Sequence, residues 1–284
     1  MDIKVVSVIG GGMMGRQIGL NTAKYGYEVY ITDSNPTVCA QAAEWVEEYL
    51  SGRIAKGRMT EEEVAAIKSR THITESLEEA VKNADLVIEA IFENEDAKHE
   101  IFRKVNALAK KGALLTTNSS TMVSSLFAED VDDPSCLANL HYFNPAMVME
   151  LVEVVKGDHT SEETAQALME FCRATGKLPI LMRREIEKFI VNRINAVITN
   201  EAYWLVENGY CTPQDVDIAC EKGLSHKMGP FRTKDLTGLD RNFLMMKEQY
   251  EKTGEKPVGY DLVGALYEQG RYGRKNGHGF YDYE

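Results

Sequence analysis

The sequence predicts an α/β fold, a doubly wound, mostly parallel sheet domain over residues 1–184 followed by an all-helical domain over 185–284, and three observations carry that expectation. Short apolar runs alternate with amphipathic stretches as far as about Arg184, the rhythm of repeated strand-helix-strand units. A glycine cluster, Gly10-Gly11-Gly12-Met13-Met14-Gly15, has G-x-G-x-x-G spacing between the first apolar run and the first amphipathic stretch. Beyond about Glu185 the strand signal stops, and apolar residues recur three or four apart.

The apolar runs predict strands over Val5 to Ile9, Glu28 to Thr32, Leu86 to Ala90, Ala113 to Thr117, Leu137 to His141, Leu151 to Val155 and Leu178 to Met182. Helix starts fall between them. Thr60-Glu61-Glu62-Glu63 and Ser76-Leu77-Glu78-Glu79 have capping-box spacing, in which a hydroxyl and a carboxylate three residues on satisfy reciprocal backbone donors. Gly26 stands where the first helix should end. In the second half Phe189 to Asn208 reads as one helix stopped by Gly209, and Thr212-Pro213 supplies an N-cap with proline at the first helical position. Further helices are expected over Asp235 to Thr253 and Tyr260 to Gln269.

A chain of 284 residues suits two domains, and its 44% hydrophobic and 27% charged fractions argue against disorder or a fibre. No apolar run approaches the roughly 20 residues that span a bilayer, so neither a signal peptide nor a membrane helix is expected. Five scattered cysteines without a C-x-x-C pair indicate neither a disulfide framework nor a zinc site, and read as reduced cytoplasmic thiols. No metal site is expected. The net charge of -12 disfavours nucleic acid as a partner, though local basic groups can still hold a small polyanion.

The glycine cluster carries the first piece of chemistry. Gly10 permits a tight turn, Gly12 lets the backbone approach a pyrophosphate, and Gly15 allows close helix-strand packing, with Met13 and Met14 opening the helix whose free amides face the anion. Asp33 ends the second strand, where a carboxylate accepts hydrogen bonds from an adenosine ribose and repels a 2'-phosphate. The alternative is a glycine turn with a surface aspartate.

A second constellation is His141-Tyr142-Phe143-Asn144-Pro145 at the end of an apolar strand, followed by Glu153 as a lone carboxylate within Leu151-Val152-Glu153-Val154-Val155. Burying that carboxylate without a partner is costly. A histidine is the natural partner, because one ring nitrogen exchanges a proton with an alcohol while the other donates to the carboxylate. From these residues alone, a solvated glutamate and a turn histidine fit equally well. Asn118-Ser119-Ser120 closes another apolar strand at the edge where open parallel sheets bind ligands, although such a cluster is more often a helix cap. Phe189-Ile190-Val191-Asn192-Arg193 places an amide and a guanidinium in an otherwise apolar helix, which by itself suggests an interhelical hydrogen bond.

Taken together and in order, these stretches resemble the L-3-hydroxyacyl-CoA dehydrogenase family, with bacterial 3-hydroxybutyryl-CoA dehydrogenases similar in length and layout. Asp85-Leu86-Val87-Ile88-Glu89-Ala90, Met228-Gly229-Pro230-Phe231, Asp235-Leu236-Thr237-Gly238-Leu239-Asp240 and Gly273 to Tyr281 extend the resemblance over essentially the whole chain. It implies a Rossmann-type domain that binds NAD and a helical domain that completes the cleft and forms a homodimer. It further implies His141 as general base, Glu153 as its orienting partner, and Ser120 and Asn192 as hydrogen-bonding groups around the reacting oxygen. Glu89, Glu93 and Lys98 correspond to residues beside the nicotinamide and its ribose, and Asn118 joins the cofactor set. The segment from Ser51 to Arg58, with Ser51, Lys56 and Arg58, corresponds to the part that contacts coenzyme A, with a solvated basic turn as its alternative.

The expected activity is hydride transfer between NAD(H) and C3 of a 3-hydroxyacyl-CoA/3-ketoacyl-CoA pair, short-chain by resemblance, in a cytoplasmic enzyme. An NAD-dependent dehydrogenase of a free hydroxy acid or sugar acid and a nonenzymatic NAD-binding structural protein are the alternatives. Two departures stand out: Glu187-Lys188 replaces a Pro-Gly pair usual before Phe-Ile-Val-Asn-Arg, and Glu150 stands where lysine is common.

Overall fold

The computed structural model describes residues 2–283, and the chain divides into two compact units, Met1–Phe189 and Ile190–Glu284. The first unit holds an eight-stranded sheet in the order β3-β2-β1-β4-β5-β6-β7-β8. Its strands are β1 (Val5–Ile9), β2 (Glu28–Thr32), β3 (Thr71–Thr74), β4 (Leu86–Glu89), β5 (Leu114–Thr117), β6 (Leu137–Tyr142), β7 (Leu151–Val155) and β8 (Leu178–Met182). The doubly wound reading holds. Winding reverses between β1 and β4, which leaves a crevice at the carboxyl ends of those two strands.

Two details of the sheet differ from the sequence expectation. β3 adds an edge strand that Thr71-His72-Ile73-Thr74, with one aliphatic residue and no fully buried position, did not announce. The step from β6 to β7 is antiparallel, because Phe143 to Glu150 is too short for the crossover of a dozen or more residues that a parallel return requires. That reversal sets His141 directly opposite Glu153.

Helices α1 (Met13–Lys24), α2 (Pro36–Ala55), α3 (Glu61–Ser69), α4 (Leu77–Val81), α5 (Glu95–Leu108) and α6 (Glu162–Ala174) connect the strands. Thr60 and Glu63 form the expected reciprocal box, whereas Ser76 caps α4 alone and Glu79 turns back to Thr74. One core joins α1, α2, α3 and α6 to the sheet through Val6, Ile18, Ile31, Leu140, Val154 and Leu168. A second gathers Val87, Phe102, Leu115, Phe127 and Leu137. Both are nearly dry, so the sheet is a rigid platform for whatever its carboxyl ends carry.

The second unit is helical: α7 (Phe189–Glu207, beginning on the last residue of the first unit), α8 (Pro213–Ile218), α9 (Pro230–Thr237), α10 (Leu239–Thr253) and α11 (Tyr260–Glu268). The single helix expected from Asp235 to Thr253 is two helices, broken at Gly238, whose φ of 97° ends α9 and starts α10. Tyr203, Phe231, Leu239 and Val263 form its core. Buried Asp235 accepts the amides of Phe280 and Tyr281 at 2.9 and 3.0 Å and fastens the C-terminal segment to α9. Among the described residues no helix is long and apolar enough to cross a membrane.

Candidate active site

The crevice begins at the glycine loop. A Cβ on Gly10, whose φ is 107°, would lie 2.5 Å from the Ala90 carbonyl oxygen, and one on Gly15 would lie 1.7 Å from the Gly10 oxygen. Only glycine fits either place. Gly12 instead faces open space, caps α1 without any side-chain bond, and no acidic residue stands in the first helical turn. The first amides of α1 are therefore available to an anion at the positive end of the helix. Met13 is exposed, while Met14 packs on the core. Asp33 follows β2 and accepts from Gly11 N and Asn35 N, both at 2.9 Å, so the loop backbone holds its carboxylate beside the crevice. This cradle of open backbone, uncapped helix and fixed carboxylate fits a dinucleotide without a 2'-phosphate.

Across the reversal point, the ends of β4 and β5 carry a buried ionic network. Glu89 and Lys98 are each 1% exposed, with Nζ 2.6 Å from Oε1. Thr117 Oγ1 donates to the other Glu89 oxygen at 2.6 Å. Lys98 Nζ also lies 3.4 Å from Glu93, whose carboxylate accepts from Ser119 Oγ at 2.5 Å and Thr121 Oγ1 at 2.9 Å. Burial pushes the Glu93 carboxyl up, but the Ser119 bond and the Lys98 charge outweigh it and hold the group below its ordinary range. Ser120 sits between these two anchored residues, half-buried, its hydroxyl unengaged among the described residues. Asn118 Oδ1 accepts the Tyr142 amide at 2.8 Å and ties this loop to β6.

Next to it lies the pair that the antiparallel step creates. His141 Nδ1 is 2.8 Å from Glu153 Oε2, with the glutamate side chain fully buried and the imidazole 7% exposed. A carboxylate on Nδ1 fixes that nitrogen as the donor and leaves Nε2 for proton exchange. Phe143 and Phe189 pack against the imidazole, at centroid distances of 4.5 and 5.5 Å. The loop between β6 and β7 is held by Lys177, whose buried ammonium donates to the carbonyls of Ala146 at 2.5 Å and Met149 at 2.9 Å. Desolvation lowers the Lys177 pKa.

The first unit thus brings together Gly10 to Gly15, Asp33, Glu93, Lys98, Asn118, Ser120, His141 and Glu153 at the carboxyl side of one sheet. Ser51, Lys56 and Arg58 lie exposed at the end of α2 and in the turn after it. Asn192 lies in the first turn of α7, in the second unit. The sequence gives no site role to several neighbours: Thr117, Phe143, Lys177, Phe189, and a ladder in which Arg16 lies 5.0 Å over Trp45, Trp45 stacks on Tyr49, and Arg53 lies over Tyr49. Glu89 ends the aliphatic run of β4 much as Glu153 interrupts β7, so the same anomaly pointed to a buried partner. Nothing in the sequence around Lys177 announces its long-range bonds.

Residues 5–186 match the family model described as 3-hydroxyacyl-CoA dehydrogenase, NAD binding domain, and residues 189–283 match the C-terminal domain of the same enzymes. The probable 3-hydroxybutyryl-CoA dehydrogenase of Bacillus subtilis is 34% identical over 285 residues, covering 100% of this chain and 99% of its own. The mitochondrial hydroxyacyl-coenzyme A dehydrogenase of Rattus norvegicus is 34% identical over 290 residues, with 99% and 92% covered. In structure, the (S)-3-hydroxybutyryl-CoA dehydrogenase of Ralstonia eutropha superposes with a TM-score of 0.88 at 29% identity, covering 100% of both chains.

Proposed function

Because the chain belongs to the 3-hydroxyacyl-CoA dehydrogenase family, with an NAD-binding first domain, we propose that it interconverts short-chain 3-hydroxyacyl-CoA and 3-ketoacyl-CoA, the 3-hydroxybutyryl/acetoacetyl pair foremost. The observation that carries this reading is the buried His141–Glu153 pair beside a loop presenting Ser120, on the same sheet edge as the dinucleotide cradle.

When bound, NAD(H) supplies the acceptor or donor of the hydride at C3. In the oxidative direction His141 Nε2 takes the proton of the 3-hydroxyl. In reduction the imidazolium returns a proton to the same oxygen, and Glu153 stabilises the charged ring through Nδ1. Ser120 donates to the reacting oxygen, which lowers the cost of developing negative charge there. Asn192 is proposed as a second donor on its sequence motif alone. Gly10, Gly12, Met13, Met14, Gly15 and Asp33 take the adenosine and pyrophosphate half of NAD, and Glu93, Lys98 and Asn118 border the nicotinamide half. Ser51, Lys56 and Arg58 are proposed to meet the phosphates of coenzyme A.

The reading extends to a homodimer and, from five free cysteines, to a reducing cytoplasmic setting. Turnover across a series of acyl-CoA chain lengths, with NADH and with NADPH, tests substrate class and cofactor together. Fast reduction of acetoacetyl-CoA with NADH is the expected result. Preference for a free hydroxy acid would refute the thioester assignment.

A further inference from the structure

Ile186, Glu187, Lys188 and Phe189 form a reverse turn, with the Phe189 amide donating to the Ile186 carbonyl at 3.2 Å. Its third position, Lys188, has φ of 65°, and Phe189 follows with φ of 50°. A turn with positive φ at that position suits glycine there and proline before it. Here lysine and glutamate fill those two places. Two successive non-glycine residues in the left-handed region are strained and persist only where the surroundings hold them.

Both sides of the turn are held. On one side Glu185 Oε1 accepts Ser124 Oγ at 2.7 Å and the Ser125 amide at 2.9 Å. Ser124 is fully buried, and its own amide donates to Asn139 Oδ1 at 2.7 Å, so this anchor reaches β6 two residues before His141. On the other side Phe189 is fully buried among Val123, Val155 and Met182, with its ring 5.5 Å from the imidazole of His141.

We propose that the segment from Glu185 to Phe189 is a positioning device for His141, in which the Glu185 anchor carries the strain at Lys188 and presses the Phe189 ring against the imidazole. Phe143 makes a second ring contact with the imidazole, at 4.5 Å. Packed against two aromatic rings the imidazole loses freedom to rotate, and the bond to Glu153 then directs Nε2 to one place. The proposal rests on His141 being the proton-exchanging group.

Three substitutions in the full-length protein test it: Phe189→Leu, Glu185→Gln and Lys188→Gly. The first two are expected to lower kcat by about tenfold to a hundredfold, the usual penalty for a displaced reacting group, with the NADH Kd unchanged and the pH profile of kcat displaced. Lys188→Gly relieves the strain and should raise Tm by about 2 to 4 °C, with kcat at the wild-type value. Combined with Glu185→Gln it should recover part of the lost turnover. The His141 ring signals followed by NMR against pH report the same displacement without substrate, so an enzyme inactive on thioesters would count against the substrate reading alone. The device is refuted if Glu185→Gln or a folded Phe189→Leu protein lowers Tm yet keeps the wild-type kcat, pH profile and His141 titration. Should Phe189→Leu not fold, Glu185→Gln decides.

Discussion

His141 and Glu153 stand directly opposite each other across the step between β6 and β7, with Nδ1 2.8 Å from Oε2 and the carboxylate wholly withdrawn from water. Of the described strand pairs this is the one that runs antiparallel. A parallel return would have needed a crossover, whereas the short loop delivers both side chains from adjacent strands with few degrees of freedom left. The catalytic reading follows from that register.

Glu153→Gln should therefore cut kcat by about 10²- to 10⁴-fold, the typical range of general acid-base contributions, and leave NADH affinity nearly unchanged. Glutamine keeps the volume but removes the negative charge that favours the imidazolium. The limb of the kcat profile that reports the ring, alkaline in the reductive direction and acidic in the oxidative one, should move to lower pH, since removing the neighbouring anion disfavours the charged ring. Near-normal turnover with an unmoved profile would dissolve the pair's catalytic role.

Cofactor choice should follow Asp33. Its carboxylate, fixed by Gly11 N and Asn35 N, accepts from a ribose and repels a 2'-phosphate, so kcat/KM should favour NADH over NADPH. Asp33→Ser should narrow the difference mainly by improving NADPH. Equal use of both cofactors by the wild-type protein would show that Asp33 does not discriminate.

The Glu89–Lys98 pair makes a stability prediction. Glu89→Gln leaves a buried ammonium that, among the described residues, has Glu93 at 3.4 Å as its one remaining carboxylate, and should cost about 3 kcal/mol in urea unfolding. A loss below about 0.5 kcal/mol, the scale of an ordinary surface change, would mean that water reaches Lys98. Because the folded Glu93 carboxyl titrates below its ordinary range, it adds stability above that range which disappears as pH falls through the lowered value. Melts of Glu93→Gln should show a weaker acid dependence than the wild type.

A homodimer is expected from α7, where Ile194, Val197 and Trp204 are 56%, 70% and 43% exposed on a single chain. Light scattering at micromolar concentration should give twice the chain mass of 31.8 kDa. A monodisperse monomer would show that this surface remains in water.

The strands flanking the crevice were legible because each is a short aliphatic run, and the glycine loop because its spacing lies between a strand and a helix. Glu153 was legible for a physical reason as well, being a carboxylate where the pattern allows only aliphatics. β3 was not, since an edge strand of Thr71, His72, Ile73 and Thr74 buries no face completely. The break at Gly238 was masked by apolar residues continuing at helical spacing on both sides. Lys177 and Phe189 were illegible as site residues because their roles come from contacts far along the chain, the lysine with Ala146 and Met149 and the phenylalanine with His141. The substitution of Glu187-Lys188 for Pro-Gly was visible, but its meaning emerged only once Lys188 proved to occupy the left-handed position of a turn.

The central claim, that His141 exchanges the proton while C3 of a 3-ketoacyl-CoA is reduced, is tested most directly by stopped-flow NADH consumption. Wild-type protein and His141→Gln would be mixed in turn with NADH and acetoacetyl-CoA, with free acetoacetate as the control. Rapid consumption with the thioester, little with the free acid, and a loss of about 10²- to 10⁴-fold in the variant at unchanged NADH Kd is the predicted outcome. No consumption of NADH with the thioester by the wild-type protein, or full turnover by His141→Gln, would contradict it.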